Sequence, residues 1–167
     1  MRLGQNITIK TSGTNAQLQK LIEDAVPVAV AQTKNIARQF KGASEEQTAK
    51  NIFSFLLNKI TYRADGQHQK VKLPSALLRE RVGDCKSYAL FTAAILTNLN
   101  IPYSFIYASY SNSKTPEHIY VQTQNGIIID AVWKKFNSEK PANHKIIKNE
   151  NIFNKRHKNK LSGLIAG

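Results

Sequence analysis

Gly83-Asp84-Cys85-Lys86-Ser87-Tyr88-Ala89-Leu90 and, after a break at Asn100-Ile101-Pro102, Tyr103-Ser104-Phe105-Ile106-Tyr107-Ala108-Ser109-Tyr110 are the two stretches whose periods decide the fold. In the first, Asp84 is a residue type that caps helix N-termini, and Cys85, Ala89, Ala93, Leu96 and Leu99 recur at helical spacing. The pattern predicts a helix from Cys85 to about Leu99, and its small residues predict close packing by neighbours. Asn98, Asn100 and Pro102 stop it. From residue 103 the period becomes two. Strands are predicted over 103–110, 118–124 and 127–133, with a loop over 111–117 and a turn at Asn125-Gly126. Helices first and an antiparallel sheet afterwards make an α+β fold, with a central helix packed on a C-terminal sheet.

Working outward, Leu18, Leu21, Ile22, Ala25 and Val26 predict a helix within residues 15–40, which Pro27 should break or kink. Ser44-Glu45-Glu46-Gln47 fits a capping box, with Gln47 reaching back, before a stripe of Ala49, Ile52, Phe53, Leu56 and Ile60. Residues 61–72 are polar, contain Asp65-Gly66 and read as a loop. Leu73-Pro74-Ser75 opens a short helix ending near Val82-Gly83. Residues 1–14, with Ile7-Thr8-Ile9 alternating, read as an arm or edge strand. Residues 134–160 turn basic and 161–167 are small and apolar, a tail that is irregular or docked on the domain. The division is an arm and helix over 1–43, a core over 44–136 and a basic tail over 137–167, in a single domain overall.

The 167 residues, 41% hydrophobic, suffice for one core. Lys and Arg number 24 against 11 Asp and Glu, a formal charge of +13. That excess either solubilises the surface or faces an acidic partner, such as nucleic acid or an acidic protein contacted through the tail. One cysteine excludes an intramolecular disulfide. Four scattered histidines give no zinc spacing, and no Gly-rich phosphate loop occurs, so neither metal nor cofactor is expected. The first six residues lead into no apolar signal region, and no apolar run approaches the roughly 20 residues that span a bilayer. A cytoplasmic protein is expected, or part of a particle assembled there, without a membrane.

The chemistry-bearing constellation is Cys85 at a helix start, His118 on one strand and Asp130 on the next. A thiol attacks as thiolate, which the partial positive charge of a helix N-terminus favours. Lys86 adds a cation and Asp84 opposes it. The backbone N–H of Cys85 can face an oxyanion, and Gly83 leaves room for a substrate. A neutral His118 can take the thiol proton while Asp130 fixes its tautomer. This requires His118 and Asp130 on one face of their hairpin. A two-residue turn would pair Asp130 with Val121 and set them on opposite faces. A three-residue loop, Gln124-Asn125-Gly126 with Gly126 left-handed, pairs Asp130 with Tyr120 and unites them. An odd loop or a bulge is therefore predicted.

Rival readings stand beside each residue. Cys85 is otherwise a buried structural thiol, His118 a surface strand residue and Asp130 an outward edge position. Tyr62, Gln67 and Gln69 precede the nucleophile and are candidates for the second oxyanion donor, against an ordinary loop role. Tyr120 either borders the substrate cleft or packs in the core. Trp133 and the aromatics of 103–110 read as core rather than a base-stacking platform, and His68, His144 and His157 as solvated.

The segments 83–90, Asn100-Ile101-Pro102, His118-Ile119-Tyr120-Val121 and Asp130-Ala131-Val132-Trp133, in that order over about residues 45–136, resemble the transglutaminase-like superfamily of papain-related cysteine enzymes. The resemblance implies that family's core fold, a triad of Cys85, His118 and Asp130, and a thiol hydrolase acting on amide or peptide bonds of a protein or peptide through an acyl-thioester. Lys86 stands where the crosslinking transglutaminases carry Trp, and their extra β-domains are missing. The chain looks more like small bacterial or phage members, with a virion-associated location if phage-encoded. Nothing marks an amine site, so water is the expected acceptor. The alternative is a silent module of the same fold serving as a basic binding or structural protein.

Overall fold

The structure, a computed structural model, describes residues 8–11, 14–66 and 69–149. Strand β1 (Thr8–Thr11) pairs antiparallel with β3 (Gln69–Lys72). Helix α1 (Asn15–Thr33) starts at a capping box of Thr14 and Gln17. A 3-10 turn over Ala37–Phe40 leads to α2 (Glu45–Lys59), and β2 (Thr61–Tyr62) follows. Then come α3 (Pro74–Glu80), β4 (Val82–Gly83), α4 (Cys85–Asn98), β5 (Tyr103–Ser109), β6 (His118–Thr123), β7 (Ile128–Ile129) and β8 (His144–Asn149). The main sheet has the order β7-β6-β5-β8 and is antiparallel throughout, so the fold is α+β.

Helix α4 is the axis of the core. Every residue from Lys86 to Thr97 is buried, because α1, α3 and the sheet enclose it. Its alanines admit the close approach of α1, whose Ile22, Ala25, Val26 and Ala29 are buried. The α2 stripe of Ala49, Ile52, Phe53 and Leu56 completes the same cluster. The other face of the sheet carries a smaller cluster of Ile106, Ala108 and Tyr120.

Several expectations change. Of the break or kink expected at Pro27, the break does not occur: helix α1 runs through it, with Val26 and Ala29 buried on either side. Ser44 caps α2 by accepting from the Gln47 N–H at 3.1 Å, but the Gln47 side chain donates to Asn51 and does not reach back. Residues 61–72 hold β2 and β3 rather than a plain loop. Residues 127–133 form only the two-residue β7 before a turn, which leaves Trp133 outside the core. The start of the basic tail is β8, docked on β5; residues 150–167, including His157, lie outside the described residues. Among the described residues, no helix is long and apolar enough to cross a membrane.

Candidate active site

The thiol is placed by a crowded helix start. Asp84 holds an extended backbone, and its Oδ1 accepts from the N–H and hydroxyl of Ser87, both at 3.0 Å, capping α4. Cys85 follows as the first helical residue, partly buried, where the backbone N–H has no partner within the helix. Gly83 is a packing position. A Cβ there would stand 2.4 Å from Leu77 Cδ1, so the glycine lets α3 close against α4. Strands β2 and β4 run parallel, with Thr61 N donating to Arg81 O at 2.8 Å and Arg63 N to Gly83 O at 2.9 Å. That ladder brings Tyr62 alongside the residues before Cys85, its ring edge-on to Tyr88.

The imidazole and carboxylate come from the β6–β7 hairpin. Val121 faces Ile129 and Gln122 faces Ile128, the register of a three-residue loop at 124–126. Gly126 takes φ of +89°, a conformation costly for other residues, and its N–H donates to Thr123 O at 2.9 Å. Asp130 therefore falls on the face of His118. Its Oδ2 lies 2.7 Å from His118 Nε2, and its Oδ1 accepts from Val132 N at 3.2 Å. Both side chains are largely buried. The His118 ring lies between Tyr120, stacked with centroids 5.7 Å apart, and Tyr110, at 6.1 Å.

Burial works against a charged His118, but its hydrogen bond to Asp130 and the neighbouring Cys85, and then their charges, outweigh it and raise its pKa to about 9. Cys85 and His118 line the same recess. With Nε2 engaged by Asp130, Nδ1 is the nitrogen left for the sulfur. Tyr62, first by burial and then by the nearby charge at Cys85 and Asp84, is pushed up to about 12 and stays a hydroxyl donor at neutral pH.

Two recesses meet at His118. One, of about 130 Å³, is lined by Cys85, Lys86, Glu117 and His118 with Asn15 and Gln19 of α1. The other, of about 310 Å³, is lined by Tyr62, Tyr110, Glu117, His118, Asp130, Trp133 and Lys140. Tyr62 and Trp133, each 41% exposed, are two of the three exposed large hydrophobic residues among those described. Tyr120 does not border the cleft: it is 2% exposed, and its hydroxyl donates to Glu139 Oε2. Gln67 and His68 lie outside the described residues, and Gln69 is placed only by the backbone of β3. Tyr110, Glu117 and Lys140 escaped sequence reading. Glu117 lies one residue from His118, which was the available signal; Lys140, 4.4 Å over the Tyr110 ring, gave none. Among the described residues, no group of His, Cys, Asp and Glu could hold a metal ion.

A cysteine at the N-terminus of a buried helix thus shares a cleft with a histidine and an aspartate carried on an antiparallel hairpin. A family model described as "Transglutaminase-like domain" matches residues 31–130, and the chain belongs to that family. The UPF0252 protein MJ1282 of Methanocaldococcus jannaschii is 29% identical over 97 residues, covering 52% of this chain and 28% of the relative, so the chain spans little more than a quarter of that protein. A crystal structure from Cytophaga hutchinsonii, provisionally named a cysteine protease, is similar at a TM-score of 0.45 and 18% identity, over 65% of this chain and 42% of its own.

Proposed function

We propose that the protein is a cysteine hydrolase of amide or peptide bonds, with Cys85, His118 and Asp130 as its catalytic triad. The observation that carries the reading is the 2.7 Å contact between His118 Nε2 and Asp130 Oδ2, with Cys85 lining a recess beside the same ring. In this reading His118, charged at neutral pH, holds the proton while Cys85 Sγ attacks as thiolate. The S–C bond forms at the substrate carbonyl, and the oxyanion meets the Cys85 N–H and the Tyr62 hydroxyl. Nδ1 of His118 passes its proton to the amine as the C–N bond breaks, which leaves an acyl-thioester. Water then attacks with neutral His118 as base, the acid leaves, and the proton is back on the ring. The recesses on the two sides of His118 give a peptide chain room to pass the sulfur.

The test is alkylation and turnover. Iodoacetamide should label Cys85 near neutral pH faster than it labels free cysteine, His118→Ala should slow the labelling, and Cys85→Ala should abolish cleavage across a peptide library. Labelling of the folded protein at the free-cysteine rate would overturn the reading.

A further inference from the structure

We propose that Lys86 is a positioning residue for Cys85: its ammonium clamps the carboxylates of Asp84 and Asp65 together and keeps their negative charge from bearing on the sulfur. The inference rests on the assignment of Cys85 as nucleophile.

Lys86 directly follows Cys85, shares its recess with His118, and is only 5% exposed. A lysine that is buried and charged must have carboxylate partners at hand. It has two, from separate parts of the chain. Asp84 Oδ2 accepts from Nζ, and Asp65 Oδ2, on the connection between β2 and β3, lies 3.5 Å away. Neither carboxylate is spare. Asp84 Oδ1 caps α4, and Asp65 Oδ2 also accepts the N–H of Lys70 at 2.6 Å. Both backbone tasks place negative charge close to the nucleophile, and Lys86 is what offsets it. The three groups sum to one negative charge with the lysine and two without it. Burial disfavours the ammonium, yet the charge and hydrogen bond of Asp84, followed by Cys85 and Asp65, hold it above the ordinary lysine range.

The other groups facing this corner are His118 and Asp130 from the hairpin, Tyr62 from β2 with Tyr88 behind it, Tyr110 and Glu117 from the ends of the β5–β6 connection, Lys140 over the Tyr110 ring, and Arg63, Lys70 and Lys72, which line a recess with Asp65 and Asp84. Helix α1 contributes the uncharged Asn15 and Gln19 there. Among these cations Lys86 is the buried one, and it contacts both Asp84 and Asp65.

The experiment is the pH dependence of iodoacetamide alkylation of Cys85 in the full chain. Lys86→Met should move the acid limb up by about one pH unit, making labelling roughly tenfold slower below the wild-type midpoint. Lys86→Arg should leave it in place. Adding Asp65→Asn to Lys86→Met restores the charge count and should return the limb to wild type, because the new amide keeps an oxygen for the Lys70 N–H. Asp65→Asn alone should move the limb down, and it carries the test if Lys86→Met fails to fold. A limb that ignores Lys86→Met, or that Asp65→Asn neither lowers nor restores, overturns the inference while a fast wild-type thiol keeps the nucleophile. A wild-type thiol no faster than free cysteine overturns both.

Discussion

The start of α4 and the β6–β7 hairpin bring their groups to one cleft by different means. At the helix start, ionic and hydrogen-bonding groups do the holding: Asp84 caps, Lys86 bridges to Asp65, and Gly83 lets α3 close in. At the hairpin, aromatic rings and a single carboxylate do it: Tyr110 and Tyr120 border the imidazole, and Asp130 takes its far nitrogen. The difference follows from what each group must do. In the proposed reaction the sulfur needs a fixed place and a local charge balance. In that reaction the imidazole would gain and lose a proton, so its surroundings would have to tolerate both states, which polarisable rings and one carboxylate allow.

The comparison breaks most sharply at Asp130. Asp130→Asn keeps the shape and an oxygen for Val132 N but removes the charge facing Nε2. Hydrolysis should fall by roughly 10²- to 10⁴-fold. NMR titration of His118 should show its pKa dropping from about 9 toward the ordinary 6.5. A variant with unaltered turnover would mean that the hairpin carboxylate does not act through the imidazole.

The two regions should also answer differently to pH. A folded-state pKa of about 9, above the ordinary 6.5, means that His118 binds its proton more tightly in the native state. That stability is fully present below pH 6.5 and is lost as pH rises through 9. Lys86 is shifted upward from 10.5, so its contribution holds across the same window. Alkaline loosening should therefore begin at the hairpin. Between pH 6.5 and 9, urea unfolding of the wild type should lose on the order of 2–3 kcal/mol more than that of His118→Gln. Equal losses would place the titrating group elsewhere.

How much of this could be read from the sequence depends on how local the cause is. The cap at Asp84 and the stripe of α2 follow from neighbouring residues, and both are found. The odd hairpin loop was legible because side-chain parity is strict: His118 and Asp130 can meet only if the count changes by one. Pairings between distant short strands were not legible, because two-residue β2 and β4 have too few positions to show an alternation. Trp133 read as strand because Ile127 to Val132 is apolar; the hydrogen bond from Val132 N to Asp130 turns the chain out after two paired residues. Lys86 read only as a cation beside the nucleophile that Asp84 opposes, since the second carboxylate that encloses it comes from a loop 21 positions earlier.

The smallest effects separate the two regions by their glycines. At Gly83 φ is unexceptional but space is missing, with Leu77 Cδ1 2.4 Å from an added Cβ. At Gly126 space is present, the nearest atom being Gln122 Nε2 at 4.0 Å, but φ is +89°. Gly83→Ala should thus cost about 1–3 kcal/mol of stability by forcing α3 off α4. It should also slow alkylation of Cys85, because the displaced segment carries the cap. Gly126→Ala should cost only about 1 kcal/mol, as strain in a turn that remains formed. It should leave the register, and hence the His118 titration, near its wild-type course. Should Gly126→Ala instead shift that titration toward 6.5, the loop glycine would be setting the meeting of His118 and Asp130, and the hairpin would be as tightly specified as the helix start.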